Sequence, residues 1–274
     1  MIKPIKLNSM IGAAWGQKGT LPIPVGPTYH ELILETNAAA ADIERASVTL
    51  NGEEIYILTG AELRMLERYK KRQHTERYFV IPFSDITART KNGVRYTALV
   101  TEKGDNIHLD VQFAAKADGA EPLSIQVHAH VSNAQPVRLV VPMLKPQTMP
   151  ANAQGVNEFT SLVSSELIAV RRMHFKHDNI DKLEITRDFI KEYEASAFIA
   201  DSNAIRNERV PQDGYFHFDP IVRGFSVDEL FPTQHNSELK FSVTTSDVAG
   251  SIPILVESVK VVRPDIVFPE RAKQ

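Results

Sequence analysis

The sequence predicts an all-β protein made of two tandem β-sandwiches with short inserted helices. Three observations predict it: short runs rich in β-branched and aromatic residues, turn signals between them at regular intervals, and a second half that echoes the first in order. At 274 residues the chain is long enough for two ordinary domains.

In the first half the candidate strands are residues 30–36, 45–50, 53–58, 77–83, 94–101, 106–115, 123–131 and 137–141, several of them alternating in period two. Asn51-Gly52, Asn92-Gly93, Gly104-Asp105, Asp118-Gly119 and Asn133 ahead of Pro136 supply the turns. One helix interrupts them. Thr59 with Glu62 three residues on is a capping-box pattern, and Leu63, Met65, Leu66 and Tyr69 fall on one helical stripe, leaving the arginines and lysines to face out. From Pro142 to about Glu158 the texture changes to prolines and small polar residues without periodicity, which reads as a linker. The expected division is therefore an N-terminal sandwich over 1–145, a linker over 146–165 and a C-terminal sandwich over 166–274. Strands are expected again at 166–175, 182–189, 193–200, 214–220, 238–245 and 252–262.

Four pairs of segments match in the same order. Residues 31–37 resemble 182–188, Ala46-Ser47 resembles Ala195-Ser196, 77–85 resembles 214–220, and 106–113 resembles 236–243. Ordered matches are the signature of a repeated unit.

Composition narrows the function classes. Hydrophobic residues make up 43% and charged residues 24%, the balance of a globular protein with a core rather than of a disordered chain. A formal charge of −3 gives no global attraction to nucleic acid or anionic lipid. Cysteine is absent, which excludes disulfides, thiolate nucleophiles and Cys-ligated zinc. The first residues lack a continuous apolar region, so no secretory signal is expected, and no run approaches the ~18 apolar residues of a spanning helix. A protein soluble when made is expected.

Residues 21–55 (LPIPVGPTYHELILETNAAAADIERASVTLNGEEI), the capped basic helix after them, and residues 166–177 (ELIAVRRMHFKH) resemble the double jelly-roll major capsid proteins of corticovirus-type tailless phages. The resemblance runs from about Leu21 to Val262. It implies two eight-stranded jelly rolls side by side, homotrimers of pseudo-hexagonal outline, and an icosahedral shell over an internal membrane around double-stranded DNA. Penton and membrane-associated proteins would be further partners, and assembly would take place in the host cytoplasm. Its residues are packing and turn residues, not a chemical motif.

His128 and His130 lie two apart on a strand, as metal-binding histidines of cupins do, because alternate strand residues face one way. A cupin would continue with a glutamate and a later histidine, yet Ser132, Asn133 and Ala134 follow, and Leu123, Ile125, Val127, Ala129 and Val131 claim the core face. Both histidines are therefore expected on the outer face. Glu102, Asp105 and Asp110, and separately Asp181 with Glu184, lie near strand ends and could hold a structural calcium between subunits; Asp201-Ser202-Asn203 begins like a calcium loop but lacks its glycine and distal glutamate. Solvated carboxylates are the favoured reading. The basic run Arg64, Arg68, Lys70, Lys71, Arg72 and Arg77 could meet phosphates or headgroups, but reads better as the outer face of the helix balanced by Glu62, Glu67 and Glu76. Arg171 and Arg172 sit on an alternating segment that should turn one to each side, one of them a candidate to pair with a carboxylate across an interface.

Glycine-rich phosphate loops, nucleophile elbows and His-Glu-x-x-His are missing. The sequence thus points to a structural subunit without catalytic residues or cofactors and without sequence-specific nucleic-acid contacts. The alternative is a virion spike or lectin-like receptor-binding sandwich; a cupin-type enzyme would need metal at His128 and His130.

Overall fold

The computed structural model describes residues 1–73 and 75–268. In the first half the strands are β1 (Lys3–Lys6), β2 (Lys18–Pro22), β3 (Thr28–Thr36), β4 (Ile43–Leu50), β5 (Glu53–Leu58), β6 (Tyr78–Pro82), β7 (Leu99–Val100), β8 (Ile107–Phe113) and β9 (Ile125–Ser132). Helix α1 (Gly60–Tyr69) precedes β6 and α2 (Lys91–Tyr96) precedes β7. The second half has β10 (Val140–Ala151), β11 (Gly155–Phe159), β12 (Ile168–Lys176), β13 (Ile180–Arg187), β14 (Ile190–Ser196), α3 (Ala197–Arg206), β15 (Tyr215–Phe218), β16 (Phe231–Pro232), β17 (Leu239–Thr245) and β18 (Gly250–Val261).

Pairing repeats strand for strand. The order β1-β9-β3-β6 in one half returns as β10-β18-β12-β15 in the other, and β2-β8-β4-β5 returns as β11-β17-β13-β14. Each half is thus two facing four-stranded antiparallel sheets in jelly-roll order, with the short β7 and β16 added to β3 and β12. Alternation does the work expected of it: Ile107, Leu109, Val111 and Phe113 of β8 are buried while the residues between them are not. The two cores are separate, one around Leu32, Val48, Phe79 and Leu109, the other around Phe175, Ile185, Phe216 and Phe241.

The repeat has a sharper register than the sequence matches suggested. From β4 through β6, each residue has its counterpart in β13 through β15 at one constant spacing. The turn residues Asn51 and Gly52 have φ of 52° and 88°, their counterparts Asp188 and Phe189 46° and 68°. Thr59 caps α1 as Ser196 caps α3, and Lys71 and Glu208 after the helices have φ of 57° and 62°. Both β4–β5 and β13–β14 shift register at the same place, after Val48 and Ile185. The matches of 77–85 with 214–220 and of 106–113 with 236–243 fall on equivalent strands. The other two slip by one: 182–188 is the counterpart of 45–51, not of 31–37, and Ala195-Ser196 that of Leu58-Thr59, not of Ala46-Ser47. Neighbouring strands share one alternation, so pattern alone cannot tell them apart.

Three further expectations change. The segment expected as a linker over 146–165 is largely strand: β10 runs to Ala151, paired along its whole length with β18, and β11 follows. Pro142, Pro146 and Pro150 all fall on the side of β10 turned away from β18, where no donor is needed, so they read as breakers without breaking the ladder. On that far side β10 meets β5 at a single parallel bridge, Leu144 to Tyr56, which joins the halves into one nine-stranded sheet. A continuous sheet across Pro150 is what two independent sandwiches would lack. The expected strand at 94–101 begins as the last turn of α2, which Thr90 caps, and is strand only at Leu99–Val100, while the expected strand 193–200 ends at Ser196, which caps α3. Among the described residues no helix is long and apolar enough to cross a membrane.

Candidate functional site

Arg171 and Arg172 are the largest fully buried side chains of the chain, 1% and 0% exposed. The expectation that strand alternation turns one arginine to each side fails for a local reason. The β12–β18 ladder shifts between Val170 and Arg172, and such a bulge sets two residues of one strand against one of the other. Both guanidinium groups therefore enter the junction between the halves.

There Arg172 forks among three acids. Its Nη2 donates to Asp85 Oδ2 at 2.7 Å, its Nε to Asp219 Oδ2 at 2.9 Å and its Nη1 to Glu257 Oε2 at 3.5 Å. Asp85 follows β6 of the first half, whereas Asp219 and Glu257 belong to the second, so one side chain ties the halves together. Arg171 Nη1 donates across the same boundary to the Phe83 carbonyl at 3.2 Å. At the end of α1, the Tyr69 hydroxyl donates to Asp219 at 3.0 Å and the Tyr69 carbonyl accepts from Val210 N at 2.9 Å. Arg209 Nη2 reaches Thr87 Oγ1 at 2.9 Å. The acids are of this chain, not of a partner.

A histidine relay completes the cluster. Gln212 N donates to His217 Nε2 at 3.1 Å, which leaves His217 Nδ1–H to donate to His174 Nδ1 at 2.7 Å and His174 Nε2–H to donate to Glu257 Oε1 at 3.1 Å. The bonds assign both rings as neutral. Burial, then His174 and Arg172, push the His217 pKa well below the ordinary range. Burial on its own raises the Asp85 and Glu257 carboxyls; Arg172, Arg171 and Lys70 outweigh it and hold both well below the usual carboxylate range. The same acids carry Arg172 well above its ordinary value against burial.

Lys70 corrects the basic-face reading. It is 6% exposed, its pKa lowered by burial, and it faces Glu257 and Asp85 rather than water. Glu67 is buried too, its carboxyl raised by burial, with Arg72 at 3.5 Å. Arg64 and Arg68 pair with Glu76, as the surface reading expects.

His128 and His130 lie on the outer face of β9, partly exposed. His128 Nε2 meets Glu35 at 3.1 Å and His130 Nδ1 meets Glu31 at 2.5 Å; Glu31 also faces Arg72 at 3.6 Å. They border an open cleft of about 550 Å³. Among the described residues no three His, Cys, Asp or Glu side chains converge as a metal site. Asp105 is engaged by Arg138, Asn51 and Glu102 N, while Asp110 lies apart with Thr20 and Lys18. Glu184 is paired with Lys182 and Lys191, Asp181 is exposed, and Asp201 lies inside α3.

Nothing in the junction presents a nucleophile or base to a substrate; its charges are spent on one another. Asp85 and Asp219 did lie in the two segments matched as repeats, but the bulge that buries both arginines has no sequence signature.

The fold and this junction define a double jelly roll whose halves are welded by buried charge. A model of the viral coat protein P2 N-terminal domain matches residues 4–132, and one of the P2 C-terminal domain matches residues 141–262. The chain belongs to the viral coat protein P2 family, and is a structural capsid protein rather than an enzyme. Among solved structures it is similar to the major capsid protein P2 from bacteriophage PM2, at 18% identity and TM-score 0.85 over 95% of this chain and 98% of that one. The STIV MCP follows at 11% identity and TM-score 0.72, over 98% and 99%, and PBCV-1 VP54 at 9% and 0.62, over 96% and 95%. No curated protein matches the sequence.

Proposed function

We propose that the chain is the shell-forming subunit of an icosahedral virion, assembling first as a homotrimer and then as a lattice. The observation that carries this reading is that coat-protein domain models cover both halves and that the halves repeat one strand order. A chain with two similar units reaches a near-hexagonal outline by three-fold closure. We divide it where β9 ends and β10 begins, which keeps β10 with β18. Penton and membrane-associated proteins are the further partners, contact with an internal membrane is peripheral, and assembly takes place in the host cytoplasm. Light scattering coupled to size exclusion tests the first step. A mass near three times 30.6 kDa is expected; a persistent monomer at micromolar concentration would overturn it.

A further inference from the structure

We infer that the junction between the two sandwiches is a proton-operated latch, which holds while His174 and His217 are neutral and lets go when either ring takes up a further proton. The inference concerns the contact inside one chain and stands whatever the number of copies in the assembly.

The geometry of the relay carries it. Its three bonds use every ring nitrogen of the pair: His217 Nε2 accepts from Gln212 N at 3.1 Å, the two Nδ1 atoms share one hydrogen at 2.7 Å, and His174 Nε2 donates to Glu257 Oε1 at 3.1 Å. The two nitrogens without a hydrogen of their own, His217 Nε2 and His174 Nδ1, both face a donor. A proton added at His174 Nδ1 sets two N–H groups against each other, and one added at His217 Nε2 opposes the Gln212 amide. Either way a hydrogen bond becomes a repulsion. With His174 0% and His217 5% exposed, water does not relieve it.

The charges around the pair leave no carboxylate to spare for a new cation. Arg172 on β12 and Glu257 on β18 stand nearest; Lys70 of α1 and Asp85 after β6 lie next to them, and Arg209 lies 3.9 Å from Asp219. Tyr215 stacks on His217 with centroids 5.9 Å apart, and Asp213, beside Gln212, is exposed. Glu257, the carboxylate that touches the pair, already answers Arg172 and Lys70. What the proton would loosen is the segment between α3 and β15. Its Gln212 binds the relay, while its Val210 N donates to the Tyr69 carbonyl and its Arg209 to Thr87, both of the first sandwich. The Tyr69 ring closes the relay, 4.3 Å from His217 and 5.6 Å from His174 between centroids.

The fold does not ask for histidine at these places. The bulges before Glu31 and Arg172 align β3 with β12, so the cross-strand pair His174–His217 has Ile33–Val80 as its counterpart. The same backbone accepts two apolar residues in the first half, and carries two titrating rings at the junction.

Hydrogen exchange read by mass spectrometry on the full chain tests the latch, with residues 207–214 compared with β8 and β17 from pH 7.5 to 4.5 after correction for intrinsic exchange. A folded pKa below the ordinary 6.5 means that the latch is complete above about pH 6.5 and is lost as pH falls. Opening of 207–214 should therefore grow by about tenfold for each pH unit below that value, while β8 and β17 stay protected. Asp85 and Glu257 start from 3.8 and 4.5, so their protonation acts only below this window. His174→Gln with His217→Gln copies the relay bond for bond, each amide giving one acceptor and one donor without a titrating ring, and should keep 207–214 closed down to pH 4.5. Equal acid opening in that double variant overturns the inference. So does opening of 207–214 in the unaltered protein that is flat with pH, or that begins only as the core strands exchange; this series decides even where the double variant fails to fold.

Discussion

Replacing Arg172 by Met keeps much of the side chain's volume and removes its charge, leaving Asp85, Asp219 and Glu257 without their shared partner. Removing one member of a buried pair costs about 3–5 kcal/mol, because the remaining charge is stranded. Here three acids lose a partner, but Lys70 and Arg171 still face Asp85 and Glu257, so about 4 kcal/mol is the reasoned figure. For a chain of this length that corresponds to a fall in Tm of roughly 8–15 °C. Calorimetry is the assay, since it also shows whether the two cores, once uncoupled, melt in separate steps. Without Arg172 the pKa values of Asp85 and Glu257 rise, so lowering pH from 7 to 5 should shrink the variant's deficit relative to the unaltered protein as protonation relieves the stranded charge. A Tm loss below about 3 °C, or a deficit that grows on acidification, would refute the account of the junction as a charge clamp.

Phe189 sits at φ 68°, 77% exposed, where the first half has Gly52. A left-handed conformation costs a non-glycine residue about 1–2 kcal/mol, so Phe189→Gly should raise Tm by roughly 3 °C; an unchanged or lower Tm contradicts this. His30 is buried between Ser84 at 2.7 Å and Ser132 at 2.9 Å, and burial brings its pKa down to about 4. A depressed folded pKa means its contribution, roughly 3 kcal/mol, is complete above about pH 6.5 and lost as pH falls toward 4. Tm measured from pH 7 to 4.5 should therefore decline, and decline less steeply in His30→Gln; parallel slopes would exclude His30 as a cause. His128→Ala with His130→Ala should lower stability by less than about 1 kcal/mol, because Glu31 keeps Arg72; a large loss in chemical denaturation would mean that the pair bears on the fold.

Much of the fold was legible because it depends on local patterns. The alternation of β8, the Asn51-Gly52 turn and the box between Thr59 and Glu62 are each set by a few adjacent residues. What escaped depends on partners distant in sequence. The prolines of β10 forbid a strand only if their donors are needed, and that turns on which edge faces β18. Lys70 looks like one more surface lysine until the C-terminus of α1 is set against Glu257. Helix α3 carries apolar residues around much of its circumference, so no single stripe marks it as a helix.

The internal repeat acts as a control that single-domain proteins lack. Where two positions share backbone geometry but differ in residue, the fold cannot be what requires the difference. Positions that face the cores are kept or exchanged among core residues: Val48 with Ile185, Phe79 with Phe216 and Ile81 with Phe218. Tyr69, which meets Asp219, His174 and His217 of the second sandwich, and Leu66 of the first core are both 0% exposed, while their counterparts Asn203 and Arg206 are exposed and polar. At the edges the trend reverses, with Glu53 answered by Ile190 and Lys145 by Ile5. Of the two, Ile5 is half-buried against the first core, which leaves Ile190, 69% exposed on an edge strand that no strand of its own chain covers among the described residues, as the apolar residue the fold does not account for.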